Sequence, residues 1–435
     1  MTLTTPVFRR PRRGSRAGYL YVAVLFTSLI VAGAIATAIS LDTTRLKTTN
    51  AATDRESAIR LAETELHRVS VQLIANPGWR DELIDGVASD WIAYGAVVGA
   101  SNADARFRLS DEDGDLADDE FDDVDVVAHA RFGSAQAAVA VQMESGFAPL
   151  DLLQYGVTTF DDLHCEDGST LVSEKNVQVF DDCKTNSVGF ITTSKLECSG
   201  SLALTVRGDI GTDSFQPIDF DVVDRYRNVG TEIQLGSLPI HNGVRTIRLA
   251  VVSPNSNPYG LANENGYYWV DAMGQQVNVV DSRIVATIAI RNASRVVVSG
   301  AVSWEAARSG EAILVTDSHV VVESLQSTLD ENTLAVNFNP PATPYRNFDS
   351  NLTTTDRFPT EFRGIVYTEG ELSVLPTTAG DPVAITGAVI CQDLVLYHDL
   401  FVSSLDEMLT NVPIGFADPS KLRFKIGTFR RVPTF

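Results

Sequence analysis

The sequence predicts a mainly β protein of the α+β class. A long N-terminal helix should lead through a small mixed unit into a right-handed parallel β-helix-like solenoid. The helix is predicted because residues 19–41 contain no charge and a helical spacing of apolar residues continues to residue 75. The solenoid is predicted because short runs rich in Val, Ile and Thr recur after residue 150, about 10–20 residues apart. A β-sandwich is the alternative fold.

Size and composition are those of a globular protein. The 435 residues are 44% hydrophobic and 21% charged, so a substantial core can form and wholesale disorder is excluded. At about 150 residues per domain, the chain has room for two or three domains.

Charge is distributed unevenly along the chain. Residues 1–18 contain five arginines and no acidic residue, and we interpret them as a basic cytoplasmic leader. Without those five arginines, 29 basic residues face 56 acidic ones, a net charge of −27. A body this acidic repels phosphate backbones, so the sequence disfavours nucleic acid as a partner.

Residues 19–41 form the predicted transmembrane helix. At about 1.5 Å per residue they span roughly 34 Å, enough for a bilayer core of about 30 Å. Arginines precede the segment and Tyr19 and Tyr21 suit the interface, so the positive-inside rule places the N-terminus in the cytoplasm and the body outside. A cleaved secretory peptide is the rival interpretation, but its apolar stretch is usually only about 7–15 residues long.

Residues 42–76 are predicted to extend the helix as an extracytoplasmic stalk. Ile59, Ala62, Leu66, Val69 and Leu73 follow one another at alternating intervals of three and four. Such a stripe packs either on the protein's own domain or in an intermolecular coiled coil, and both interpretations stay open. Asn-Pro-Gly at residues 76–78 predicts the end of the helix.

Residues 79–145 read as a small α+β unit. Strand-like runs at residues 105–109, 124–132 and 135–141 surround an acidic stretch at residues 111–123. Five of its carboxylates occupy positions 1, 3, 5, 9 and 12 of a twelve-residue calcium loop: Asp111, Asp113, Asp115, Asp119 and Asp122. Position 6 is Leu116 instead of the usual glycine, and a solvated acidic hairpin is the alternative to a Ca²⁺ site.

Residues 150–435 are predicted to form the β-rich, solenoid-like domain. Prolines near residue 340 indicate a long loop up to residue 360, and the basic tail at residues 421–431 predicts a final strand that covers the end of the solenoid. The strand-like runs are 277–280, 283–290, 295–302, 312–315, 319–322, 362–367, 372–375, 384–389 and 394–396.

Four cysteines are too few for a disulfide scaffold and contain no CxxC pair. In an oxidising compartment one or two bridges are expected, with three full pairings open, and Cys391 is a candidate for a buried free thiol. The four are Cys165, Cys183, Cys198 and Cys391.

Catalytic fingerprints are absent from the sequence, which predicts no catalytic residue, no organic cofactor and no enzymatic activity. A polysaccharide-cleaving enzyme is the alternative, by analogy with other β-helices. Its best local cluster, Asp219, Asp221, Asp224 and Arg225, reads more simply as an extended strand edge.

The N-terminus resembles type IV pilin-related proteins, in particular PilX-type minor pilins and secretion pseudopilins. The likeness rests on Arg16-Ala17-Gly18 before the apolar helix, on Asp-Arg-Glu-Ser-Ala at residues 54–58 and on Leu-Ala-Glu-Thr-Glu-Leu at residues 61–66. In that family a prepilin peptidase cuts after the glycine, which implies processing between Gly18 and Tyr19. The fifth mature residue would be Ala23, where major pilins have Glu, so the resemblance implies a minor or tip-type subunit.

This resemblance implies a single-pass protein of the bacterial inner membrane with a periplasmic or cell-surface body. The implied role is structural, assembly-related or adhesive, in a type IV pilus or a related secretion system. The implied partners are the lipid bilayer and either other pilin-like subunits or the assembly platform. Residues 267–322 also look similar to β-helical bodies attached to pilin-like leaders, which implies a structural or adhesive body. A calcium-dependent assembly factor is a third hypothesis.

Overall fold

The structure is a computed structural model that describes residues 17–76, 78–98, 102–166, 168–186, 189–211, 222–347, 349–378 and 380–434. The chain forms two compact units: unit 1 comprises Met1–Glu144 and Leu422–Phe435, and unit 2 comprises Ser145–Lys421. The protein is mainly β with a long N-terminal helix, as the sequence predicts.

The helices in the described residues are α1 Ala17–Ala75, α2 Trp79–Glu82, α3 Gly95–Val98, α4 Val222–Val229, α5 Glu331–Leu334 and α6 Glu407–Thr410. The strands are β1 Ile92–Ala93, β2 Ala103–Ser110, β3 Val124–Phe132, β4 Ala135–Glu144, β5 Tyr155–Thr159, β6 Leu163–Cys165, β7 Thr170–Ser173, β8 Asn176–Val179, β9 Cys183–Lys184, β10 Phe190–Cys198, β11 Thr205–Gly211, β12 Thr231–Glu232, β13 Ile240–His241, β14 Val244–Arg248, β15 Val251–Val252, β16 Tyr267–Asp271, β17 Val277–Val285, β18 Thr287–Arg291, β19 Val296–Glu305, β20 Ala312–Thr316, β21 Val320–Leu325, β22 Thr328–Asp330, β23 Arg357–Pro359, β24 Glu361–Val374, β25 Val383–Leu396, β26 Leu400–Ser403, β27 Arg423–Phe424 and β28 Arg430–Val432.

Helix α1 runs unbroken for 59 residues, about 88 Å at 1.5 Å per residue. It ends at Ala75, one residue before Asn76 and two before the proline at position 77, since a residue that precedes proline is disfavoured in the helical conformation. The predicted continuation of the membrane segment into a stalk is therefore present as a single helix.

Unit 1 is an antiparallel sheet packed on the second half of α1. The sheet order is β1-β2-β3-β4-β27, and β28 also pairs with β4. Alternate residues of β2 are buried, as expected for a sheet with one face on a core. Leu66, Val69 and Leu73 of α1 belong to the same core as Phe107 and Val126. The helical stripe thus packs on its own unit, which answers the question that the sequence left open.

The C-terminal tail differs from its prediction. Strands β27 and β28 pair with β4 in unit 1 instead of covering the end of the β-rich domain. Unit 2 therefore ends at Lys421 and not at residue 435, and it is inserted between two strands of one sheet. The basic side chains of the tail meet acidic ones there, because Arg423 lies 2.7 Å from Glu144 and Arg430 lies 2.7 Å from Asp125.

The strands of unit 2 lie in three columns. Within a column neighbouring strands are parallel, and each comes from a separate pass of the chain through the three columns. Val279 pairs with Val298, for example, and Val298 pairs with Val322. We call one pass through the columns a rung. These parallel pairings do not support the alternative of a β-sandwich, which is built from antiparallel sheets. Column 1 contains β16, β18, β20, β5 and β8; column 2 contains β14, β21, β6 and β9; column 3 contains β15, β26, β7 and β11; the long strands β10, β17, β19, β24 and β25 take part in more than one column.

The rungs do not follow one another in sequence order. Strands β5 to β11 build one end of the stack, and the chain then resumes at the opposite end with β12. From there it builds back until β25 pairs with β5 and β26 pairs with β7. The first residues of unit 2 therefore lie in the middle of the stack. The sequence predicts individual strands from residue 277 onward, but it predicts neither the strands β5 to β16 nor this order.

Three buried clusters stabilise the described part of unit 2, the smallest of them formed by Ala301, Leu329, Phe338 and Phe358. The first fills the space enclosed by the columns and includes Val279, Val298 and Leu394. The second lies on the outer side of column 1, where Tyr226 of α4, Met408 of α6 and Phe416 cover it.

The proline-containing loop is held by a buried arginine. Arg283, only 1% exposed, donates from its guanidinium to the backbone oxygens of Phe338 at 2.8 Å, Thr343 at 2.7 Å and Pro344 at 3.0 Å. The loop between β22 and β23 is thereby fixed to the strands instead of extending freely.

Candidate functional site

The first half of α1 exposes its apolar side chains on every side. Tyr19 is 82% exposed and Leu29 is 70% exposed, and none of the most apolar 18-residue window is buried. In the described residues this is the helix that is long and apolar enough to cross a membrane. A surface of this kind is costly in water and favourable in lipid or against other apolar helices.

The predicted processing site lies at the start of this helix. Gly18 is helical and Tyr19 is exposed. The arginines of the leader and its other glycine, Gly14, lie outside the described residues.

The turn between β3 and β4 contacts α1 at Asp54. The Asp54 carboxylate accepts hydrogen bonds from the backbone N–H of Ser134 at 3.1 Å and from its hydroxyl at 3.0 Å. Gly133, at φ +57°, brings the β3–β4 turn so close that a Cβ atom would lie 2.5 Å from the Asp54 carboxylate. Asp54 comes 13 residues after Leu41, so about 20 Å of exposed helix separates the apolar segment from the sheet.

A buried carboxylate fixes the second half of α1. Glu65 is fully buried and accepts hydrogen bonds from Arg68 at 2.7 Å and from the Tyr94 hydroxyl at 2.5 Å. Burial, and then the hydrogen bond to Glu65, raises the pKa of Tyr94 to about 12. Tyr94 lies between β1 and α3, so this network fixes the segment that joins β1 to β2 to helix α1.

The acidic loop brings together four carboxylates, though not the predicted five. One oxygen from each of Asp111, Asp113, Asp118 and Asp122 lies within 4.8 Å of the others. Predicted ligands Asp115 and Asp119 are outside this group. Their carboxylates instead accept hydrogen bonds from the backbone N–H of Ala117 at 3.2 Å and of Phe121 at 2.8 Å.

Two buried side chains hold the acidic loop in place. Leu116, at the position where a calcium loop has glycine, is 2% exposed and belongs to the core of unit 1. Arg80, 7% exposed, donates to the backbone oxygens of Leu116 at 3.1 Å and Asp122 at 2.7 Å. The Arg80 guanidinium is hydrogen-bonded to these backbone oxygens, and the four carboxylates of the acidic loop lie close to one another.

Charge repulsion within the group shows in the pKa values. Desolvation, and then the charges of Asp119, Asp113 and Asp111, raises the pKa of Asp122. Desolvation and the adjacent Asp113 likewise raise the pKa of Asp118. Repulsion of this kind is relieved by a proton or a divalent cation, which carboxylate oxygens favour. The calcium site therefore stays a prediction, now with Asp118 in place of Asp115 and Asp119.

A second acidic cluster lies at the corner between columns 1 and 2, and the sequence analysis missed it. The Asp393 carboxylate accepts the backbone N–H of Asp162 at 3.2 Å, and Asp162 accepts that of Asp182 at 3.0 Å. Lys184 lies 2.6 Å from Asp162 and 3.2 Å from Asp182. These carboxylates bond one rung to the next, and Lys184 forms ion pairs with two of them, Asp162 and Asp182.

The signal for this corner was present as a repeat. Phe-Asp-Asp occurs at residues 160–162 and again, twenty residues later, at residues 180–182. In the structure Phe160 and Phe180 stack with ring centroids 5.9 Å apart. The repeat therefore marks the length of one rung.

The described half of the cluster considered for polysaccharide cleavage lies in a helix and not at a strand edge. Asp224 and Arg225 lie in α4, whereas Asp219 and Asp221 are outside the described residues. Asp224 lies 2.7 Å from Arg227 and 3.0 Å from Arg291, so this carboxylate is engaged in ion pairs that fix the helix to the sheet.

Comparisons with known proteins give little guidance. The sequence matches no protein-family model and no curated protein. Among solved structures, the competence-associated pilin ComZ from Thermus thermophilus matches at a TM-score of 0.31 and 10% identity, over 87% of this chain and 98% of that one. An ice-binding protein of Shewanella frigidimarina matches at 0.25 and 12%, over 60% of this chain and 98% of that one. Scores this low assign neither a fold nor a function to this chain.

Proposed function

We propose that this protein is a membrane-anchored, pilin-like envelope protein with a structural, assembly or adhesive role. The observation that carries the proposal is the division of α1 into two halves. Residues 19–41 are apolar and exposed, whereas Ile59 to Leu73 present one apolar stripe that is buried on the sheet of unit 1. A helix that anchors with one half and carries a folded sheet on the other is the arrangement expected of the pilin-like family that the N-terminus resembles.

The geometry also supports a rigid connection between anchor and sheet. No break interrupts α1 between residue 17 and residue 75, and the Asp54 and Glu65 contacts fix its second half to unit 1. A force on the sheet of unit 1 would therefore pass directly along α1 to the membrane segment. Such coupling suits a subunit that assembles with other pilin-like subunits or on an assembly platform.

Within this proposal unit 2 is a β-helical solenoid that serves as a structural or adhesive body and has no enzymatic activity. Three columns of parallel strands, a filled interior and cross-rung hydrogen bonds from Asp162 and Asp393 support this assignment. The sequence after the leader carries a net charge of −27, which disfavours nucleic acid as the partner.

N-terminal sequencing of the membrane-extracted protein tests the proposal most directly. The pilin-like assignment places the mature N-terminus at Tyr19 and the body in the periplasm or at the cell surface. A Gly18→Leu variant should then retain the leader, whereas the matched Gly14→Leu variant should be processed normally. An intact leader in the wild-type protein would contradict the pilin-like assignment and leave an ordinary signal anchor, and a freely soluble protein would contradict anchoring itself.

A further inference from the structure

Two cysteines of unit 2 meet at one corner of the stack. Cys183 forms a parallel bridge with Leu202, and Cys198 pairs with Val179, so the two cysteines lie on neighbouring rungs. The backbone oxygen of Ser201 accepts the N–H of Cys183 at 2.8 Å and lies 3.8 Å from the Cys198 sulfur. A single carbonyl thus contacts both residues.

Both side chains are buried in the interior of the stack at this corner, at 0% and 6% exposure. All four cysteines are free thiols in the structure. A disulfide joins two sulfur atoms at about 2.05 Å and needs Cα atoms about 4.4–6.8 Å apart, a range that includes the spacing of about 4.8 Å between neighbouring strands.

The other cysteines are placed differently. Cys391 pairs with Thr159, Thr159 with Val179, and Val179 with Cys198. Three strand spacings therefore separate Cys391 from Cys198, about 14 Å at 4.8 Å each, which is too far for a bridge. Cys165 pairs with Leu396 and comes two residues after Leu163, which pairs with Cys183, so it too lies on a rung next to Cys183. The Ser201 carbonyl, which contacts both Cys183 and Cys198, favours Cys198 as the partner.

We propose that Cys183 and Cys198 form a disulfide bond in the exported protein. The compartment in this statement rests on the proposed function, whereas the choice of partners rests on the geometry of this corner alone. One thiolate attacks a protein disulfide or oxidised glutathione, which releases one thiol of the oxidant and leaves a mixed disulfide. The second thiolate then attacks the cysteine sulfur of that mixed disulfide and expels the oxidant's other thiol. The S–S bond forms, and the oxidant takes up two electrons and two protons to become a dithiol.

Burial determines when this bond forms. Burial, and then the hydrogen bond from Cys198, raises the pKa of the Cys183 thiol well above its ordinary value. Thiolate is scarce once the rungs have closed, so oxidation belongs to folding before the corner is buried. The bond closes a loop of 15 residues and joins two successive rungs.

Peptide mapping tests the pairing without any substitution. The full chain is refolded in detergent in a glutathione redox buffer, its free thiols are alkylated, and it is digested with trypsin without reduction. Cleavage after Lys and Arg places Cys183 in peptide 176–184 and Cys198 in peptide 196–207, while Cys165 and Cys391 fall in other peptides. We expect these two peptides to be linked. Alkylated Cys183 and Cys198, or a link to Cys165 or Cys391, would overturn the proposal.

The same digest of protein extracted from cells separates this inference from the proposed function. Linked peptides in both samples support the bond and the export of unit 2. A link after refolding but free thiols in cells would support the pair and contradict export. As a second measurement, Cys183→Ser should lower the melting temperature of the oxidised protein by roughly 5 °C more than Cys391→Ser does. Equal shifts in the two variants would count against a bridge.

Discussion

The two halves of α1 differ both in how many apolar residues they have and in where those residues lie. Residues 19–41 contain 18 apolar residues of 23, arranged around the whole circumference and exposed, whereas residues 59–73 contain 7 of 15, most of them on one stripe that is buried on the sheet. A stripe matches the flat face of a sheet, but an apolar cylinder can be covered only by lipid or by several helices. The number and the distribution of apolar residues together decide what each half of the helix contacts.

The largest effect should come from placing charge in the exposed half. Leu29→Asp combined with Gly33→Asp puts two carboxylates at the centre of the membrane segment, where each costs about 3 kcal/mol. We expect the protein to shift from the membrane pellet to the supernatant after carbonate extraction. Thr48→Asp with Ala51→Asp, in the exposed polar part of α1, should leave it in the pellet. If both double variants stay in the pellet, the segment does not hold the protein in the bilayer.

The next largest effect separates the two halves by the same substitution. Leu66→Ala removes a side chain that is 2% exposed, so it should lower the free energy of unfolding of unit 1 by about 2–5 kcal/mol. Leu29→Ala removes the same atoms from a side chain that is 70% exposed and should change it by less than about 0.5 kcal/mol. Urea unfolding in detergent, followed by circular dichroism, measures both. Equal losses would show that the helix is not divided in this way.

A smaller effect concerns the acidic loop. If Asp113 is a calcium ligand, about 1 mM Ca²⁺ should stabilise the wild type by roughly 1 kcal/mol at the affinity typical of extracellular sites. Asp113→Asn should abolish this gain, whereas Asp115→Asn should retain it because Asp115 is turned towards the N–H of Ala117. Melting curves with Ca²⁺ and with Mg²⁺ provide the measurement. A wild-type protein that does not respond to Ca²⁺ would favour the solvated hairpin.

The smallest effect is an alkaline one at Tyr94. Its pKa is about 12 in the folded protein, against 10 in the unfolded chain, so the neutral phenol favours the fold. This stabilisation is complete below pH 10 and is lost as the pH rises from 10 towards 12. Tyr94→Phe should weaken the dependence of stability on pH in that interval. An unchanged slope between pH 10 and 12 would mean that Tyr94 is not held by Glu65.

Elements with an unambiguous period could be predicted from the sequence. Helix α1 and strands β2 to β4 were predicted because an interval of three to four residues, or an alternation, continues over many residues. In unit 2, seven strands were predicted as short apolar runs between turn residues, namely β17 to β21, β24 and β25, whereas the strands before residue 277 were not. Local composition suffices for these elements because each is determined mainly by its own residues.

Long-range pairing could not be predicted in this way. Asp162 and Asp393 meet although 231 residues separate them, and β28 finds β4 rather than the stack. Edge strands of similar composition are interchangeable in the sequence, and only contacts in space choose between them. At the acidic loop, spacing suggested Asp115, but a turn at Asp113 and Asp115 directs that carboxylate to the backbone and leaves Asp118 in its place.

The return of the tail to β4 has a consequence for biosynthesis. The sheet that begins at residue 92 is completed only by residues 423–432, so a nascent chain cannot finish unit 1 until the whole of unit 2 has left the ribosome. Until then the outer edge of β4 offers unpaired backbone groups to any other strand. A chaperone or a protease that binds the unpaired edge of β4 would therefore bind unfinished chains and not finished ones.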